Sequence, residues 1–346
     1  MVKPVVIAGG GISGLVAAMT LAGAGRDVEV HEMRSEIGAR FHGDVQGLDN
    51  WLFEESLPDF MRRADIRLDC INSPLRRFTL LDYKQHRYEV RFADPIIYLV
   101  RRGPMEGTFD QALKRQALER GVRIHLAGRL DADDPQADIV ATGPRSAYGI
   151  VVGYVFKTSE PDDVMLVFDE KIAPGGYGCM AFMQGRGQMG AVLTRDMKNG
   201  PQYRSRVLEY FRNLRRIDMQ EVVEYSGYGA VLRKPERNKI RIGEAGGFQD
   251  KLWGFGMRMA MESGALAAQA ILEGRDYWEL VDKRLAPLVE RCTLNRRAMD
   301  AAGDRGYAAF LHRLAESDDP RGLIRLFHQP GAINVARSFL ALGLKL

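Results

Sequence analysis

The residues best placed to do chemistry stand at the start of the chain. Gly9-x-Gly11-x-x-Gly14 follows the apolar run Val5, Val6, Ile7 and precedes a helical pattern through Leu15, Ala18 and Leu21, after which Val28 and Val30 lead to Glu32. Strand, glycine turn, helix and acid-tipped strand together read as a dinucleotide clamp. Gly9 permits the tight turn, Gly11 lets the backbone approach a pyrophosphate, and Gly14 lets helix and strand pack closely. Ile12 and Ser13 open the helix, where unpaired N–H groups face the phosphates. Glu32 is placed to accept hydrogen bonds from ribose hydroxyls. Met33 then begins a polar loop that passes beside the clamp, with Arg40 placed either at the pyrophosphate or simply on the surface. The uncharged run 5–25 after Lys3 also has the outline of a signal peptide, but that outline leaves the glycine spacing unexplained.

The rest of the composition narrows the field. The chain has 346 residues, enough for one large or two moderate domains, and its 46% hydrophobic and 27% charged residues are ordinary for a globular protein. A net charge of +4 is too mild to argue for nucleic acid. Cys70, Cys179 and Cys292 and the six histidines show no metal-ligand spacing, so no metal is expected, and a cytoplasmic, reducing setting fits. Beyond the glycine-rich start, no uncharged run approaches the length of a membrane span.

The clamp needs a frame. Residues 48–66 have helical apolar points broken at Pro58, and 75–92 read as two strands around a turn near Lys84-Gln85-His86. A helix over 109–120 turns Phe109, Leu113 and Leu118 inward, and short strands at 122–126 and 137–141 complete a doubly wound sheet. From Ile150 to about Tyr228 the pattern is antiparallel strands interrupted by a helix at 202–214, the natural substrate half. A strand at 239–243 then runs into Glu244-Ala245-Gly246-Gly247, and a helix starts near Gly256. The expected architecture is α/β: a Rossmann-like nucleotide domain over 1–70, 95–150 and 231–278, an inserted antiparallel β-sheet substrate domain over 71–94 and 151–230, and C-terminal helices over 279–346. The amphipathic tail INVARSFLALGLKL either docks on the body or makes peripheral contact with a membrane surface.

Several separated motifs resemble one family, the FAD-dependent geranylgeranyl reductases, within the flavoproteins that share the p-hydroxybenzoate hydroxylase fold. They are Gly9-Gly10-Gly11-Ile12-Ser13-Gly14 with Glu32, Arg102 followed by Phe109-Asp110, Pro174-Gly175-Gly176-Tyr177-Gly178-Cys179-Met180-Ala181-Phe182, and Gly243-Glu244-Ala245-Gly246-Gly247-Phe248 with Gly254-Phe255-Gly256-Met257. The resemblance implies FAD as cofactor, with Arg102, Glu244, Gly254, Gly256 and Met257 among its binding residues. Glu244 replaces the family's aspartate at the ribityl chain. A helix starting near Gly256 would aim its positive end at the flavin pyrimidine edge, stabilising the anionic reduced ring.

By the same resemblance, N5 of reduced FAD delivers hydride to a C=C bond of an isoprenoid-like or other hydrophobic small molecule, and an external donor, NAD(P)H or a redox protein, supplies the electrons. Tyr177 is then a candidate for the substrate side of the flavin or a sheet aromatic. Cys179, where the family has tryptophan, is a proton donor or a small wall residue, and His42 is another candidate donor. Met165, Met180, Phe182 and Met183 would suit a lipid-like pocket or a core. Two alternatives stand beside the reductase. One is a monooxygenase or oxidase acting on a small aromatic compound, disfavoured by Thr142 where hydroxylases carry aspartate. The other is a redox-neutral or non-catalytic flavoprotein.

Overall fold

A computed structural model describes residues 3–144, 146–229 and 237–328; the expected boundary at 230–231 and the amphipathic tail lie outside the described residues. The nucleotide half is built on a five-stranded parallel sheet ordered Ile240–Arg241, Ile139–Val140, Val5–Ala8, Val28–Glu32, Arg123–Leu126. Ile7 lies opposite Val30 on one side and Ile139 on the other, so the β-branched run is buried in the sheet centre.

Helix Ile12–Gly23 is buried around almost all of its circumference. It packs against helices Phe109–Glu119 and Met257–Glu273, which is why its sequence is apolar without a polar face. The contact with Met257–Glu273 is a backbone approach. A Cβ on Gly264 would stand 2.4 Å from the Ser13 carbonyl oxygen, and Gly243 N donates to Ser263 Oγ at 2.8 Å.

The second half is a seven-stranded mixed sheet ordered Gln220–Gly229, Gly149–Lys157, Arg186–Leu193, Tyr177–Met183, Asp163–Phe168, Arg77–Asp82, Arg87–Arg91. Its pairs are antiparallel except Asp163–Phe168 with Arg77–Asp82. The 75–92 hairpin thus reaches the edge of this sheet, while Asn72–Leu75 joins Val45–Asp49 and Ile97–Arg101 in a separate three-stranded sheet. Helix Gly200–Leu214 covers one face of the large sheet through Val207 and Phe211. Met165, Met180 and Phe182 are buried on that covered face. They belong to the core and not to a lipid-like pocket, and Met183 is likewise buried in the main core.

Two local expectations shift for physical reasons. The 48–66 segment begins as a strand ending at Asp49, and only Leu57–Arg63 is helical. Ser56 caps that helix by accepting from Asp59 N, and Pro58 sits in its first turn, where the missing N–H costs nothing. Leu118 points outward, and Ala117 and Gln116 take the inward positions. Helices Tyr277–Arg284, Ala286–Ala315 and Pro320–Leu326 close the described chain. No described helix is long and apolar enough to cross a membrane.

The close approach of the two helices makes Gly264 a stability determinant. Gly264→Val is expected to force them apart and cost about 1–3 kcal/mol, read as a lower urea midpoint at unchanged slope. An unchanged midpoint would mean that the helices slide without loss.

Candidate functional site

A cavity of about 920 Å³ runs between the halves. Gly9, Gly11, Ile12, Ser13, Glu32, Met33, Arg40, His42, Arg102, Tyr177, Cys179, Glu244, Gly254, Gly256 and Met257 all line it. Gly14 lies behind, packed so tightly that a Cβ there would stand 2.1 Å from the Gly9 carbonyl oxygen.

The glycine turn separates structural need from ligand need. Gly9 has φ +110°, and its Cβ would meet the Ala141 carbonyl at 2.3 Å, so the fold itself demands glycine there. Gly11 differs. Its φ of −72° suits any residue, and a Cβ would meet nothing within 4 Å. Nothing inside the described protein requires glycine at 11, whereas a pyrophosphate lying on the turn would. No side chain caps the helix that follows, and its first turn holds no acid, so its N–H groups are offered to the cavity. The same is true of helix Met257–Glu273, which starts after Gly256.

Glu32 is held by backbone. Its Oε2 accepts from Gly10 N at 3.0 Å and its Oε1 from Arg34 N at 2.9 Å, which fixes the carboxylate while leaving lone pairs for ribose hydroxyls. Arg40 and Glu244, expected at separate parts of a cofactor, pair with each other at 3.0 Å. Arg40 also donates to the Tyr228 carbonyl and lies 5.1 Å from the Tyr228 ring centre, joining the nucleotide loop to the large sheet. Arg102 is buried, and its fork grips Asp110 through two hydrogen bonds of 2.8 Å, with a third, to Gln46 Oε1, at 3.0 Å. Asp110 also accepts from Gly103 N at 2.9 Å. Asp110 belongs to the Phe109-Asp110 segment, and a buried guanidinium needs such a partner to offset its desolvation.

The substrate-side residues follow the period of a strand. Tyr177, Cys179 and Ala181 alternate with the core residues Met180 and Phe182, so they face the cavity. Tyr177 donates its hydroxyl to the Trp253 carbonyl at 2.8 Å, and burial holds that phenol well above its usual range. That bond ties the strand to the glycine-rich loop before the Met257–Glu273 helix. Burial pushes the Cys179 thiol up to about 12, which keeps it protonated. His42 is exposed at the mouth, and its backbone N donates to Asp44 Oδ1 at 2.8 Å.

Asp250 was missed, although it stands between Gly247 and Gly254. Its backbone N donates to the Phe255 carbonyl at 2.7 Å and its carbonyl accepts from Gly254 N at 2.8 Å, which shapes the turn before the Met257–Glu273 helix. Its Oδ2 lies 3.1 Å from His328 Nε2, tying that turn to the C-terminal helices. Tyr225 was missed too, and it lines the same cavity.

The comparisons agree with this geometry. Residues 7–57 match the NAD(P)-binding Rossmann-like domain family. No curated protein matches the chain in sequence. Among solved structures, a geranylgeranyl bacteriochlorophyll reductase-like protein from Thermoplasma acidophilum superposes with a TM-score of 0.71 at 17% identity, covering 97% of this chain and 95% of that one. The flavin-dependent brominase Bmp2 gives 0.58 at 15% identity over 93% and 92% of the two chains. A variant of the halogenase PltM in complex with FAD gives 0.58 at 12% identity over 90% and 79%. The chain has the fold of flavin-dependent oxidoreductases. These neighbours carry both reductase-like and halogenase names, so the fold is common ground and the reaction is not.

Asp49 ends the strand whose Val45, Gln46 and Gly47 line the cavity, and its carboxylate is buried with both oxygens unpartnered among the described residues. Burial raises its pKa from 3.8 to about 7, with the Asp250 carboxylate adding to the rise and Arg258 opposing it. The folded state therefore keeps this proton where the unfolded chain has released it. Stability from this group is lost as pH rises from near 4 to about 7. Asp49→Asn is expected to flatten the fall in thermal midpoint across that window, and an unchanged slope would refute the assignment.

Proposed function

We propose that the protein is an FAD-dependent oxidoreductase that reduces a C=C bond of a hydrophobic, isoprenoid-like small molecule. The observation that carries this reading is the continuity of the cavity. It passes from two uncapped helix N-termini directly onto an apolar wall of Val151, Val164, Leu166, Cys179, Ala181 and Val192, faced by Ile97 and Leu99. FAD, when bound, supplies hydride chemistry at a ring nitrogen.

The chain's own residues bind, orient and exclude water. Gly11 and the N–H groups after it take the pyrophosphate, and Glu32 takes the adenosine ribose. The N–H groups that open the Met257–Glu273 helix present a positive dipole end, which favours an anionic reduced ring. The sheet wall holds the apolar substrate out of water, and Cys179 leaves room where a larger ring would stand. Reducing equivalents come from an external donor, NAD(P)H or a redox protein. The likeness to the Thermoplasma acidophilum protein, whose name is reductase-like, supports the same reading.

The test is anaerobic. Protein loaded with FAD and reduced chemically is mixed with geranylgeraniol, and the oxidised flavin band near roughly 450 nm is followed. Return of that band without oxygen, together with a product two hydrogens heavier, is the expected result. Reoxidation that waits for oxygen, with the geranylgeraniol recovered unchanged, would overturn it.

A further inference from the structure

Four residues form a row across the large sheet. Cys179 pairs with Gly190, Gly190 with Gly153, and Gly153 with Tyr225. Residues paired in this way share a face, so the row lies on the cavity side. The two glycines leave a slot, and the tyrosine ring fills it. A Cβ on Gly153 would stand 2.7 Å from Tyr225 Cε1, and one on Gly190 would stand 2.7 Å from the Tyr225 hydroxyl. The ring therefore lies flat over two strands with its hydroxyl reaching toward Cys179.

That hydroxyl has no hydrogen-bond partner among the described residues, and Tyr225 is only 4% exposed. Leaving a buried phenol unpaired costs free energy, and the cavity is what it faces. Tyr177, one row away, spends its hydroxyl on a backbone carbonyl, so the two tyrosines are not equivalent.

We propose that the Tyr225 hydroxyl binds substrate, donating a hydrogen bond to a neutral oxygen on an otherwise apolar molecule. This rests on the reading of the cavity as a site for a hydrophobic substrate. Burial keeps the phenol protonated, which makes it a donor. The Asp44 carboxylate lines the same cavity and disfavours an anionic group there. An alcohol, ketone, ester or quinone oxygen fits; a carboxylate or phosphate does not.

The experiment compares farnesol with the hydrocarbon farnesene as ligands of the oxidised, FAD-loaded protein, read by the change in flavin absorbance. Farnesol is expected to bind about tenfold more tightly. In Tyr225→Phe, which keeps the ring in its slot, farnesol affinity should fall to that of farnesene while farnesene affinity holds and the thermal midpoint does not fall. Equal affinities in the parent protein, or discrimination that survives Tyr225→Phe, would mean the hydroxyl meets only water and would overturn the proposal. Binding of neither ligand would overturn it as well. The anaerobic reoxidation experiment decides the parent reading separately, because it needs no difference between these two ligands.

Discussion

Two helices pack against each other, and neither N-terminus carries a capping side chain. Each leaves its first N–H groups unpaired within the helix, and each turns them to the same cavity. They can stand so close because Gly264 has no Cβ to strike the Ser13 carbonyl. Backbone contact between them fixes the spacing of two positive ends, and the rest of the nucleotide half serves that spacing. The parallel sheet holds the first helix through Gly14, and Asp250 shapes the turn into the second. A pair of donor-rich ends with a fixed separation suits a ligand whose pyrophosphate lies apart from a ring that becomes anionic on reduction, as in a flavin dinucleotide.

The other half works by alternation. On strand Tyr177–Met183, one set of side chains makes a core with helix Gly200–Leu214 and the other makes the cavity wall. A single strand therefore anchors the second domain and shapes the substrate space at once. Its joint to the nucleotide half is made of specific polar bonds: Tyr177 to the Trp253 carbonyl, Arg40 to the Tyr228 carbonyl, and Val45 N to Gln188 Oε1 at 2.9 Å. Such bonds fix geometry more than they add stability.

The legible parts of this molecule were those in which a residue type has one physical use. Gly9, Gly14 and the acid-tipped strand could be read from spacing because backbone geometry and ribose recognition admit few substitutes. The α/β class and the antiparallel middle region were readable from period. Helix length near Pro58 was not, because proline both breaks helices and starts them. Arg102 was expected beside the cofactor and lines the cavity, but the partner that holds its fork, Asp110, was not readable from spacing. Met180 and Phe182 look like lipid-contacting residues in a list, and only strand parity sends them to the core. Tyr225 could not have been found from sequence. Its slot is made by Gly153 and Gly190, which lie on two other strands, and their alignment is a matter of register.

The central claim is that Gly11 is glycine for the sake of a bound dinucleotide and for no need of the fold. Titration of FAD into the cofactor-free parent protein and the Gly11→Val variant, with the thermal midpoint of each measured alone, tests it most directly. Equal midpoints and a loss in FAD affinity of about 100-fold or more in the variant, some 2.7 kcal/mol, are expected. Equal FAD affinity in the two proteins, or a parent that takes up no FAD, would contradict it.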